Sequence, residues 1–230
     1  MIEDPPLLTI KSRTHRIADD LIAELSRYPT GFVVDAMQGR GALNADLQPL
    51  SRGTLPVACC GRVLTVDPGP SDVLAVVAAL DEIEEGDVLV IATDSYRNCA
   101  AIGDRVIGMA RNGGAVGIVT DGLVRDVEGI EAVGLPVYCC GVSPNSPYNN
   151  GPGSIGTDIS IGNVAITRND ALLADTDGAV VVPGEKLQFV LEQCRHIEAI
   201  EKSLDQEVAD GLKVPAAMQE LLASDKVKRI

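Results

Sequence analysis

The segment IGDRVIGMARNGGAVGIVTDGLVRD, residues 102–126, decides how this chain folds. Residues 102–111 read as a helix, Gly113-Gly114 as a tight turn, and residues 115–120 (AVGIVT) as a buried strand. Asp121-Gly122 is then a turn that sets Arg125 and Asp126 just beyond the strand's carboxyl end. In open α/β sheets that end is where ligands bind.

The neighbouring sequence repeats the pattern on both sides. Residues 57–66 read as a strand, and residues 71–84 as a helix with Ser71 at its N-cap. Residues 87–93 (DVLVIAT) read as a buried strand entered through the Glu85-Gly86 turn, and residues 136–142 as another strand. A Gly/Pro/Asn-rich loop (143–156) leads to short strands at 159–161, 164–167 and 178–183, with a β-turn at Asp175-Thr176-Asp177-Gly178. Near the start, residues 16–28 place Ile17, Leu21, Ile22 and Leu25 on one helical face, Pro29 ends the run, and Thr30 caps a short helix through Met37. Residues 185 to about 211 read as a long charged, solvent-facing helix, followed by a polar tail. Alternating strands and helices in the middle, with consecutive strands near the end, predict a mixed α/β fold. The expectation is a single domain over residues 1–230, with a helical segment over about 1–50.

Composition narrows the function. Aromatics are only two Phe and four Tyr with no Trp, so the core must be built from Val, Ile, Leu and Ala, as in sheets covered on both faces. A net charge of −14 repels polyanions, which predicts no direct partnership with nucleic acid or an anionic membrane surface. The first residues, MIEDPPLLTIKSR, do not resemble a signal peptide, and no apolar run approaches the roughly 20 residues of a membrane helix. A cytoplasmic location is expected. The adjacent pairs Cys59-Cys60 and Cys139-Cys140 sit in strands without zinc spacing, and His15 and His196 stand apart from them; the cysteines read as small buried hydrophobes.

Chemistry concentrates in residues 103–126. Gly103 and Asp104 begin a helix, whose first N–H groups, including those of Arg105 and Val106, form an anion site suited to a carboxylate. Arg125 can grip a carboxylate or enolate oxygen through two N–H groups. Asp126 is a hard oxygen ligand suited to Mg²⁺ or Mn²⁺, and Asp104 can orient Arg125 or a metal-bound water. The same residues also fit a plainer role, an Arg-Asp pair serving a surface turn with Asp104 as an N-cap, and both readings stay open. No Walker A lysine, nucleophile elbow or methyl-donor glycine loop is present.

Asp104, twenty intervening residues, then Arg125-Asp126 resembles the D-x20-R-D signature of the RraA-like proteins, which include the class II 4-hydroxy-4-methyl-2-oxoglutarate/4-carboxy-4-hydroxy-2-oxoadipate aldolases. Pro29-Thr30 with Asp35-Ala36, the Gly86-to-Val90 strand, the 117–126 core and Ala174-to-Pro183 resemble further family motifs in order. The resemblance implies a swivelling β/β/α fold, with a mixed sheet flanked by helices, assembled as a homotrimer or homohexamer with active sites between subunits. It implies that Asp126 holds Mg²⁺ or Mn²⁺, mostly through waters, and that a glutamate from a neighbour's C-terminal helix, matched here by Glu201, reaches that water shell. Amides near Gly103, Arg105 and Val106 would take the carboxylate of a small 2-oxo acid, and Arg125, oriented by Asp104, would stabilise a pyruvate enolate. The implied activity is cleavage of a 4-hydroxy-2-oxo acid to pyruvate, with oxaloacetate decarboxylation beside it. The family's other branch, which binds and inhibits a ribonuclease complex, is the alternative. One departure is Arg168-Asn169-Asp170, where the family usually has Pro-Gly-Asp; the turn is expected to lie away from the site.

Overall fold

A computed structural model describes residues 6–50 and 55–230; the first five residues of MIEDPPLLTIKSR lie outside them. In chain order the elements are β1 (Leu8–Ile10), α1 (Asp19–Leu25), α2 (Thr30–Ala36), β2 (Gln48–Pro49), β3 (Cys59–Asp67), α3 (Leu74–Ala79), β4 (Asp87–Ile91), β5 (Ala100–Ile102) and α4 (Asp104–Asn112). There follow β6 (Gly117–Thr120), β7 (Leu123–Val124), α5 (Val127–Val133), β8 (Val137–Cys139), β9 (Gly153–Ile155), β10 (Ile159–Ile161), β11 (Val164–Ile166), β12 (Ala171–Asp175), β13 (Gly178–Val182), α6 (Leu187–Ala209) and α7 (Ala216–Ala223).

The central strands β3, β4, β6 and β8 run parallel, joined through α3, α4 and α5. Among the described residues they belong to a nine-stranded mixed sheet, in which β9 and β12 pair antiparallel with β3, β13 with β12 and β2 with β8, while β1 lies parallel to β9. The long strand β3 changes partners along its length: Cys59–Arg62 pair with β12, Arg62–Val66 with β4, and Val66 and Asp67 with β9. Alternation along β4 shows why residues 88–91 are continuously apolar. Leu89 and Ile91 join Ile107, Ala110 and Ile130 on the face covered by α3, α4 and α5. Val88 and Val90 face the other way, into a cluster with Ile159, Ile161 and Ile166 of the β10–β11 hairpin. A third cluster packs α1, α2 and α6 on the β12–β13 hairpin through Leu25, Val33, Val180, Leu187 and Leu191. All six cysteines are free thiols, and burial pushes the Cys59 thiol up to about 12.

Several local expectations need correction. The helix expected from Ser71 begins at Leu74, because Ser71 takes a left-handed conformation (φ 66°) and Asp72 instead accepts the Leu74 N–H at 2.8 Å. Ile102 ends strand β5 rather than opening α4. Thr30 is the first residue of α2, not its cap; its N–H and hydroxyl both donate to Asp175, each at 2.8 Å. Two separately read motifs are therefore one clasp. The first half of α6 is not solvent-facing, since Leu187, Val190, Leu191 and Cys194 are buried, and the polar tail contains α7. Strand β12 also escaped the sequence reading, although its turn to β13 falls at the expected Asp175–Gly178, where Asp175 Oδ1 accepts the Asp177 N–H at 2.9 Å.

Candidate active site

Two helix starts converge beyond the carboxyl end of β6. Helix α4 opens behind Gly103, which is extended (φ −133°, ψ −175°), and α5 opens behind Asp126, which is left-handed (φ 62°, ψ 46°). That conformation is uncommon outside glycine, and aspartate is among the residues that tolerate it best. Asp126 makes no side-chain cap on its own helix. Its carboxylate turns back toward Gly103 instead, and a Cβ on Gly103 would lie 2.5 Å from Asp126 Oδ2. Glycine at 103 leaves the space that the carboxylate occupies.

Arg125 is held at both ends of its guanidinium. Nε lies 3.3 Å from Asp126 Oδ2, and Nη1 donates to Ser146 Oγ at 2.5 Å. Its backbone N–H donates to the Ile102 carbonyl at 3.1 Å, tying the end of β7 to the entry of α4. The side chains of Arg125 and Asp126 are 36% and 48% exposed, so both remain within reach of a ligand.

Of the two uses expected for Asp104, contact with Arg125 is not the one its side chain makes here. It accepts the N–H of Arg105 at 2.7 Å rather than a hydrogen bond from Arg125. Its carboxylate lies against α5, where a Cβ on Gly129 would fall 2.4 Å from Asp104 Oδ2. Asp104 thus sits in the seam between α4 and α5. Of the amides proposed for a carboxylate, that of Arg105 is engaged by Asp104, whereas that of Val106 lies in the first turn, where N–H groups have no intrahelical partner. Glu201 lies in α6, which packs against α1 and α2. Among the described residues no three His, Cys, Asp or Glu side chains cluster as a metal cage, so Asp104, Asp126 and Glu201 do not converge within one chain.

Three contributors were missed in the sequence. Ser146 and Gly129 are visible only through their partners in space. Asp121, which opens the expected turn, is also buried and accepts the N–H of Thr93 at 2.6 Å, the Thr93 hydroxyl at 2.9 Å and the Ser95 N–H at 2.8 Å. These bonds fasten the left-handed turn at Asp94 and Ser95 (φ 53° and 56°), and with it the end of β4, to the end of β6. A buried carboxylate needs such donors, and here the backbone supplies two of them. The Arg168–Asp170 turn lies at the other end of the sheet: Arg168 pairs with Glu82 at 3.0 Å, ahead of β4.

The comparison with known proteins agrees with this architecture. The RraA-like family model, described as Aldolase/RraA, matches residues 30–181. A Halalkalibacterium halodurans protein provisionally named as a 4-hydroxy-4-methyl-2-oxoglutarate aldolase is 32% identical over 84% of this chain and 90% of its own length. Among solved structures, Streptomyces coelicolor RraAS2, described as an unusual member of the RNase ES inhibitor RraA family, superposes with a TM-score of 0.75 at 25% identity, covering 84% of this chain and all (100%) of its own. A protein from Pseudomonas syringae pv. tomato shares the fold with a TM-score of 0.76 at 24% identity, covering 86% of this chain and 96% of its own. The chain belongs to the RraA-like family. No helix among the described residues is long and apolar enough to cross a membrane.

Proposed function

We propose that this protein is a divalent-metal-dependent lyase that cleaves a 4-hydroxy-2-oxo acid, such as 4-hydroxy-4-methyl-2-oxoglutarate, to pyruvate and a second carbonyl compound. The observation that carries the reading is the joint placement of Arg125 and Asp126 against the amino end of α4. The provisional aldolase name of the Halalkalibacterium relative supports it.

The donor set fits a hard ion. Asp126 is half exposed and bonded to no capping amide, which suits Mg²⁺ or Mn²⁺ held by one carboxylate and several waters. Such an ion supplies Lewis acidity at the keto oxygen of the substrate. Glu201 of a neighbouring copy in a trimer or hexamer would add to the water shell.

The chain's own groups do the rest. The amino end of α4, with the Val106 amide and the dipole of a nine-residue helix, attracts the substrate carboxylate. Retro-aldol cleavage breaks the C3–C4 bond: the C4 hydroxyl loses its proton, C4 becomes a carbonyl, and the bonding pair passes into the enolate of pyruvate. Negative charge thus grows on the C2 oxygen, where the fixed cation of Arg125 is worth most. Protonation at C3 then gives pyruvate. The same enolate would form on loss of CO₂ from oxaloacetate, so decarboxylation belongs to the reading.

Pyruvate release from 4-hydroxy-4-methyl-2-oxoglutarate and from oxaloacetate, with and without EDTA, tests it. EDTA-sensitive, Mg²⁺-restored turnover is expected, and no turnover of either acid would sink the proposal. The likeness to RraAS2 motivates the competing reading, a regulator that binds a ribonuclease complex. Capture of such a complex by a chain inert toward both acids would favour it.

A further inference from the structure

We propose that Ser146 is a positioning residue for Arg125, holding the guanidinium in place without neutralising it; the proposal rests on the lyase reading of the same site. Asp126 is asked to serve two cations. Its carboxylate is the hard ligand of the site, and the same carboxylate oxygen lies 3.3 Å from Arg125 Nε. A metal ion drawing on that carboxylate would weaken its hold on Arg125. The other tether, the 2.5 Å bond from Nη1 to Ser146 Oγ, runs through a different residue and does not draw on the Asp126 carboxylate. With one N–H of Nη1 bonded to Ser146 and Nε facing Asp126, the rest of the guanidinium fork is left to meet an oxyanion.

The hydroxyl can serve as an anchor only if its loop is fixed, and this loop is fastened on both sides of Ser146. Ahead of it, the Ser143 N–H donates to the Val124 carbonyl at 2.9 Å, and the Ala100 N–H donates to the Asn145 carbonyl at 3.0 Å. The Asn145 side-chain amide also donates to the Asn98 carbonyl at 2.8 Å. Behind it, Tyr148 exchanges backbone bonds with Ser71 (2.7 Å) and Val73 (2.9 Å), and Asp72 accepts the Asn150 N–H at 2.7 Å. A segment whose composition reads as a loose loop is thus bound to β5, β7 and the entry of α3, with Ser146 between the two sets of ties.

The test compares Ser146→Ala and Ser146→Thr with the wild-type protein loaded with Mg²⁺. For Ser146→Ala we expect kcat on the 4-hydroxy-2-oxo acid to fall about tenfold, with KM changed less than about twofold, because the lost restraint matters when charge develops. Affinity for oxalate, a planar stand-in for the enolate, should fall in parallel with kcat by calorimetry, and affinity for pyruvate should change less. Ser146→Thr, which keeps the hydroxyl, should recover most of both losses. A structural role alone would lower the melting temperature and weaken oxalate and pyruvate equally, which would overturn the proposal. A third measurement does not depend on turnover. The Arg125 Nε–H signal in ¹⁵N–¹H spectra, assigned by its loss in Arg125→Lys, should broaden or exchange faster with water in Ser146→Ala. If wild type turns over no 2-oxo acid, the lyase reading fails, while an altered Arg125 signal still upholds the Ser146 tether. An unchanged Arg125 signal with unchanged kcat and oxalate affinity overturns the tether itself.

Discussion

Asp126 Oδ2 occupies the space that a side chain on Gly103 would need, 2.5 Å from where its Cβ would stand. Two residues 23 positions apart (126 less 103) therefore define one another: the glycine is there for the carboxylate. Gly103→Ala should accordingly act on the site rather than the fold, because the displaced atom is the end of a flexible side chain. We expect a melting temperature within a few degrees of wild type and a loss of lyase turnover of at least about tenfold, as a misplaced group costs near the reacting centre. Thermal unfolding followed by circular dichroism and a pyruvate-release assay check this; unchanged turnover would separate Gly103 from the site.

Gly129 predicts the opposite balance. Within a helix, glycine to alanine ordinarily stabilises by up to about 1 kcal/mol. Here the new methyl would stand 2.7 Å from Asp104 Cβ and 2.8 Å from its Cγ, so α4 and α5 would have to part. Gly129→Ala should destabilise by about 1–3 kcal/mol, the usual cost of overpacking, read as a lower urea midpoint at unchanged slope.

Asp126→Asn keeps a residue that tolerates φ 62° and removes the charge. Folding should survive, while Mg²⁺ or Mn²⁺ affinity in a calorimetric titration falls at least tenfold and lyase turnover is lost. Arg125→Lys should lower turnover by about a hundredfold with little change in stability, since a single ammonium cannot contact Ser146, Asp126 and an oxyanion together. Near-wild-type turnover in either variant would remove that residue from its role.

The clasp between Thr30 and Asp175 joins α2 to the β12–β13 hairpin. Thr30→Val keeps shape and backbone N–H but leaves Asp175 Oδ1 without its hydroxyl donor. A loss of about 1–2 kcal/mol is expected from chemical denaturation, the usual cost of a partner withdrawn from a hydrogen-bonded charge.

Asp72 supplies a pH dependence. Burial alone would raise its carboxyl, but the backbone amides of Asn150 and Leu74 donate to it and hold it below its ordinary range. A carboxyl lowered by folding stabilises above its unfolded value, near 4, and loses that contribution as pH falls through the folded value. Stability should therefore drop below about pH 4, and Asp72→Asn should flatten that part of the curve while costing about 1–3 kcal/mol at neutral pH. A curve in the variant as steep as in wild type would exclude Asp72 as its source.

How much of this was legible in the sequence depends on the range of the interaction concerned. Strands such as Asp87–Ile91 and Gly117–Thr120 announced themselves because a strand buried on both faces carries an unbroken apolar run, here residues 88–91 and 117–119. The nearness of Gly103 to Arg125 and Asp126 was legible because one helix–strand unit carries all three. By itself, then, the sequence determined the alternating α/β core, the turn that delivers Arg125 and Asp126, and the chemical types at the site. Only the tertiary structure decided how they are used. Asp104 pairs with the Arg105 amide and rests on Gly129 instead of orienting Arg125; Ser146 reaches Arg125 from 21 positions away; and Thr30 finds Asp175 across 145. The physical reason is common to all of them. Periodicity reports which way a side chain faces within its own element, whereas hydrogen-bond partners are set by which elements the packed sheet brings within about 3 Å.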